Sequence, residues 1–176
     1  MQERDKYLYI YSTNPSSYGK RDHGRNARDI ILDLKPETML DVGCGKGRMV
    51  EWAKSEGIDC IGCDFASGYG VQADVLDMPF DDKSFDLVTA FDLLEHLKED
   101  DLHKALSEMY RVAKKFWVIS IGFGRSRFKN GEVNLSLHPI TYKDPQWWIP
   151  HLSRYSIVEQ KGSDYKKHPY YVCELK

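Results

Sequence analysis

The chain has no apolar run long enough to cross a bilayer as a helix. It also has almost no net charge: 25 Lys and Arg against 27 Asp and Glu leave −2 with histidine neutral. No general attraction to nucleic acid or to an anionic membrane is therefore expected. There are only four cysteines, Cys44, Cys60, Cys63 and Cys173, and their spacing suggests no disulfide framework. Cys60-Ile61-Gly62-Cys63 has the spacing of a redox or zinc pair, but it falls in a segment that reads as a strand. Residues three apart on a strand face opposite sides, and zinc would need a second matched pair, so these read as core cysteines with no metal. Internal repeats and low-complexity stretches are absent. Met1-Gln2-Glu3-Arg4-Asp5 is charged with no apolar segment behind it, so no secretory signal is expected and a cytoplasmic setting is the default.

What is present fits one domain over residues 1–176: 41% hydrophobic and 30% charged residues, ordinary for a globular protein. Residues 1–21 carry Tyr7, Tyr9, Tyr11 and Tyr18 with no clear period and read as an N-terminal arm or lid. Ala27, Ile30, Ile31 and Leu34 recur at helical spacing within Asp22 to Leu34, and Pro36 closes that helix. Strands and helices then alternate. Strands are expected at Thr38 to Val42, Asp59 to Asp64, Gly70 to Asp74, Asp86 to Phe91 and Phe116 to Ile121, and helices at Arg48 to Glu56 and Asp100 to Ala113. Two last strands, Ser156 to Gln160 and Tyr170 to Leu175, read as an antiparallel hairpin at the sheet edge. The expected fold is α/β and Rossmann-like: a doubly wound, mostly parallel seven-stranded sheet with a C-terminal antiparallel hairpin and helices on both faces. Ligands bind such sheets at the carboxyl ends of the strands.

The most informative stretch is Asp41-Val42-Gly43-Cys44-Gly45-Lys46-Gly47. An acidic residue and three glycines at alternate positions mark a strand turning sharply into a helix, where a ligand must touch bare backbone. A nicotinamide dinucleotide fingerprint would need glycine or alanine where Arg48 stands, and a phosphate-binding P-loop would need Gly-Lys-Ser/Thr. The loop resembles instead the first motif of the class I S-adenosylmethionine-dependent methyltransferases. Ala73-Asp74-Val75-Leu76-Asp77-Met78-Pro79-Phe80 resembles the third motif of that family, Ser84-Phe85-Asp86-Leu87-Val88 its fourth strand, and Phe91-Asp92-Leu93-Leu94-Glu95-His96 the segment behind it. The resemblance covers about residues 38 to 121. It implies S-adenosyl-L-methionine as cofactor, with Asp41, Gly43, Gly45 and Gly47 around its methionine part. Asp64 would lie on the ribose hydroxyls, Phe65 against the adenine, and Asp74 and Val75 on the adenine amino group and ring, with Phe91 completing the site. One departure stands out: only Phe65-Ala66-Ser67-Gly68-Tyr69-Gly70 separates Asp64 from strand three, too few residues for a crossover helix, and Tyr69 is a candidate to cover the adenine instead.

Methyl transfer from a sulfonium depends mainly on in-line placement and exclusion of water, so few catalytic side chains are compulsory. A base helps when the acceptor is a hydroxyl or a protonated amine. His96, just past strand four, is the first candidate, against the alternative of a histidine packed at a helix start. His138 is the second, in the 122–150 region expected to build the acceptor pocket; His23, His103, His151 and His168 have weaker claims. Gly122 to Pro150 mixes Arg125, Arg127 and Lys129 with Tyr142, Trp147 and Trp148, which suits a glycan, nucleotide or other polar metabolite. The alternative for Trp147 and Trp148 is that they pack an amphipathic helix onto the sheet. Asp92-Leu93-Leu94-Glu95 differs from the Asp/Asn-Pro-Pro-aromatic motif of exocyclic-amine nucleic-acid methyltransferases, and no cysteine follows a proline as in cytosine C5 enzymes. The expected function is methyl transfer to an oxygen or nitrogen of a small polar molecule or glycan. The alternative is a catalytically inactive S-adenosylmethionine-binding subunit that depends on a protein partner.

Overall fold

A computed structural model describes residues 3–13, 22–122, 143–161 and 169–176. Its sheet has seven strands: β1 (Thr38–Val42), β2 (Asp59–Asp64), β3 (Val71–Gln72), β4 (Phe85–Phe91), β5 (Ala113–Ser120), β6 (Ser156–Lys161) and β7 (Tyr170–Leu175). They lie in the order β3-β2-β1-β4-β5-β7-β6. β1 pairs in parallel with both β2 and β4, and β7 runs antiparallel to β5 and β6. The expected Rossmann-like α/β architecture, with its antiparallel C-terminal hairpin, is what the chain adopts. The order reverses between β1 and β4, and there the loops leaving the two strands part to open a crevice.

Alternation along the strands sends side chains to two cores. Leu40 and Val42 join α4 (Glu99–Val112) and α5 (Pro145–Ser153) through Leu102, Leu106, Met109, Trp148 and Leu152 on one face. Met39 and Cys60 join α2 (Arg28–Leu34) and α3 (Arg48–Ser55) through Ile31, Met49, Val50 and Ala53 on the other. Cys60 and Cys63 fall in opposite cores, as strand geometry requires, and all four cysteines are buried thiols. Trp148 is fully buried and Trp147 stacks on His151 with centroids 4.0 Å apart, so the first packs α5 onto the sheet.

Residues 65–70 form bends, with no helix between β2 and β3. So short a parallel connection is possible because β3 pairs only with the last two residues of β2, Cys63 with Val71 and Asp64 with Gln72. The chain does not have to travel back along β2 before pairing. Close approach sets the sequence: Gly70 has φ +69°, and a Cβ there would lie 2.2 Å from the Gly62 carbonyl oxygen. β3 is accordingly shorter than the Gly70 to Asp74 expected. At the other end of the chain, residues Glu3–Thr13 form α1. Its Tyr7 and Ile10 are buried against Ala66 and Phe65, so α1 covers the helix-less β2–β3 loop.

Beneath the glycine loop, Asp41 is only 4% exposed, and its carboxylate accepts from Thr89 Oγ1 at 2.7 Å. Burial pushes its pKa up to about 7, against the bond from Thr89. The folded state thus keeps a proton that the unfolded chain releases near pH 4. Stability should fall as pH rises between about 4 and 7, by on the order of 4 kcal/mol. Urea unfolding should show this slope in the wild type and a flatter one in Asp41→Asn; equal slopes would contradict it. Trp148→Ala should cost about 3–5 kcal/mol of stability, whereas a residue serving only an acceptor pocket would change stability little.

Candidate active site at the strand reversal

A cleft of about 760 Å³ opens at the carboxyl ends of β1, β2, β3 and β4. Gly43 forms part of its floor with φ +71°, and a Cβ there would stand 3.0 Å from Leu93 Cδ1 on the opposite wall. Only glycine keeps that passage open. The other two glycines of the loop do different work. Gly45 donates its N–H to Asp64 Oδ2 at 3.1 Å. Gly47 lies under the ring of Tyr69, which a Cβ would meet at 2.1 Å. Tyr69 in turn donates to Glu51 Oε1 at 2.5 Å in the first turn of α3. Tyr69 therefore closes over the start of α3 and does not line the cleft.

Asp64 is buried and joins two loops. Its Oδ1 accepts from Ala66 N and Ser67 N, both at 2.8 Å, and its Oδ2 from Gly45 N. Each carboxylate oxygen offers two acceptor sites, so these bonds fill Oδ1 and leave capacity on Oδ2. Past β3, Asp74 Oδ1 accepts from Leu76 N at 3.0 Å and fixes a tight turn that brings Val75 to the wall. Arg111 braces this turn from α4, donating to the Met78 carbonyl at 2.8 Å and the Phe80 carbonyl at 2.6 Å. Glu108 accepts from Met78 N at 3.0 Å, and its bond with Arg111 holds it below the usual carboxylate range.

Of the residues singled out in the sequence, Gly43, Asp64, Phe65, Asp74, Val75 and His96 come together on the cleft. Asp41, Gly45 and Gly47 lie beneath or behind it. Phe91 faces the other core, its ring 6.2 Å from that of Tyr170. His138, with Arg125, Arg127, Lys129 and Tyr142, lies outside the described residues. His96 presents its ring edge-on to Tyr7 at 6.1 Å. Tyr7, Tyr11, Asp92, Leu93, Lys98 and Asp101 also line the cleft and were not picked as site residues from the sequence. The i, i+4 spacing of Tyr7 and Tyr11 was the available signal for the first two. Among the described residues no helix is long and apolar enough to cross a membrane, and no three His, Cys, Asp or Glu side chains gather as a metal site.

Residues 40–116 match the family model described as a methyltransferase domain. The chain is 38% identical over 100 residues to ajmaline N-methyltransferase of Rauvolfia serpentina, covering 46% of this chain and 34% of that protein. It is 40% identical over 118 residues to demethylmenaquinone methyltransferase of Corynebacterium glutamicum, covering 60% of this chain and 50% of that protein. The chain thus spans about a third to a half of the curated relatives it matches. In structure it is similar to 1,6-didemethyltoxoflavin-N1-methyltransferase of Burkholderia thailandensis, solved with its substrate and S-adenosylhomocysteine. The TM-score is 0.73 at 15% identity, over 98% of this chain and 86% of that one. Over residues 40–116 the chain is therefore similar to the methyltransferase domain family, in keeping with the resemblance of its motifs to the class I S-adenosylmethionine-dependent group.

Proposed function

We propose that the chain transfers a methyl group from S-adenosylmethionine to an oxygen or nitrogen of a small polar acceptor. The observation that carries this reading is the cleft at the strand reversal. There the bare backbone of Gly43, acceptor capacity on Asp64 Oδ2 and the Asp74–Val75 turn face one space of about 760 Å³. Those features fit an adenosyl amino acid. The open floor at Gly43 suits the amino-acid part, the carboxylate suits a ribose hydroxyl, and the apolar and polar edges of Val75 and Asp74 suit a purine. Phe65 supplies an aromatic face on the same wall.

When bound, the cofactor supplies a methyl group on a positively charged sulfur. The protein's own part is positioning. Gly43 and Leu93 set the width of the passage, while Tyr7 and Tyr11 of α1 cover it and exclude water. His96, on the cleft wall, is the base we assign for acceptors that carry a proton. A protonated amine first gives its proton to the imidazole, or a hydroxyl gives it up as it attacks; the acceptor's lone pair then forms the bond to the methyl carbon, and the carbon–sulfur pair returns to sulfur. A glycan acceptor and a cytoplasmic setting are further parts of this proposal.

Calorimetric titration with S-adenosylmethionine and S-adenosylhomocysteine, with NADH as control, tests the reading. Binding of the two sulfur nucleosides alone supports it, and tight NADH binding or no binding contradicts it. Gly43→Val should abolish binding, since a branched side chain would fill the passage to Leu93. Asp74→Ala should weaken it by about 1–3 kcal/mol, the usual cost of leaving a polar partner unpaired. Unchanged affinity in both variants would refute the placement. If methyl transfer is the activity, His96→Gln should lower turnover while leaving cofactor affinity unchanged.

A further inference from the structure

The cofactor reading leaves Asp92 and Asp101 on the cleft without a task, and of the two Asp92 is held by side chains from distant parts of the chain. Asp92 follows β4, lines the cleft, and adopts φ +51°, a left-handed conformation uncommon outside glycine but accessible to aspartate. Its backbone N–H donates to the Ser120 carbonyl at 3.0 Å, and its Oδ1 accepts from Ser120 Oγ at 2.8 Å. Its Oδ2 lies 2.6 Å from His23 Nδ1. Two side chains from distant parts of the chain therefore hold this carboxylate in one pose.

The position of the group is as informative as its fixing. Ser120 pairs with Phe91 on β4 and with Tyr170 on β7. The Tyr170 hydroxyl donates to the His23 carbonyl at 2.8 Å. The pair thus stands over the ends of β4, β5 and β7, at the edge of the cleft that Asp92 lines. In the proposed site this is the side we assign to the acceptor.

Charge selects among acceptors. The described residues lining the cleft include Asp64, Asp74, Asp92 and Asp101 against the single cation Lys98. Asp64 and Asp74 are committed to backbone N–H groups on the nucleoside side. Behind Asp92, Glu95 is almost fully buried, its Oε1 accepting from Gly122 N at 2.7 Å. Burial first, and the charge of Asp92 second, raise its pKa well above the usual carboxylate value. Of the two carboxylates, Glu95 is the buried one and Asp92 the one that lines the cleft.

We propose that Asp92, positioned by His23 and Ser120, recognises the acceptor and selects a nitrogen base that enters as a cation, a protonated amine. An ammonium gains charge-assisted hydrogen bonds to this carboxylate, whereas a phosphate or carboxylate is repelled by it. The inference rests on the S-adenosylmethionine site proposed above and narrows its acceptor class.

Titration with two ligands tests it on the whole chain without a known acceptor. S-adenosylhomocysteine is uncharged at sulfur; sinefungin carries an ammonium on carbon where the S-methyl group would be. At low salt the wild type should bind sinefungin about tenfold more tightly than S-adenosylhomocysteine, with added salt narrowing the difference. Asp92→Asn should bring the two affinities to within about twofold, leaving S-adenosylhomocysteine binding as it was. His23→Gln should reduce the preference partway. A sinefungin preference that survives Asp92→Asn with S-adenosylhomocysteine binding intact overturns the proposal. Should Asp92→Asn lose both ligands, His23→Gln decides, since it leaves the turn at Asp92 in place; an unchanged preference there overturns it. A wild type that binds neither ligand overturns the cofactor reading itself, and this inference with it.

Discussion

The cleft depends on the carboxylate of Asp64. It sits at the end of β2 and accepts three backbone N–H groups, one from the β1–α3 loop at Gly45 and two from the β2–β3 loop at Ala66 and Ser67. Bonds to a charged acceptor are stronger than neutral ones, and here they come from both loops that border the nucleoside side. Gly43 can lie open on the floor because the loop that carries it is tied down from behind. The same bonds constrain function. With Oδ1 filled, a ribose in the proposed site would meet Asp64 through Oδ2, so that one side chain would both build the wall and serve the ligand.

The second constraint is the missing crossover helix between β2 and β3. An ordinary doubly wound sheet covers that edge with a helix. Here the six-residue loop leaves Ala66 and Phe65 needing cover, and α1 supplies it through Tyr7 and Ile10. Because Tyr7 and Tyr11 also line the cleft, one helix completes the core and roofs the site. Anything that displaces α1 would therefore loosen the fold edge and open the cleft together. This coupling links packing to access.

Much of this was readable from residue order. The bounds of β1, β2 and β7 coincide with those expected from apolar runs and flanking breakers, and the glycine loop with the Asp74–Phe80 segment located the cleft. Position within the strand was harder. Asp41 and Phe91 belong to cleft-forming segments, yet alternation turns them toward the core of α2 and α3 while Val42 and Asp92 reach the cleft. A motif names a segment, and only the register of the strand says which of its side chains emerge. α1 escaped because, among its described side chains, it buries just Tyr7 and Ile10 and so carries little periodic signal. The His23–Asp92 pair was illegible because the fold alone brings the two segments together, through Tyr170 and Ser120.

The most direct test of this account is a crystal structure with S-adenosylhomocysteine bound. The account predicts the nucleoside between Gly43 and the Asp74–Val75 turn, a ribose hydroxyl on Asp64 Oδ2 with its bond from Gly45 retained, and the sulfur directed toward the Asp92 side of the cleft. A nucleoside bound elsewhere, or one that reaches Asp64 only after the Gly45 bond has broken, would contradict it.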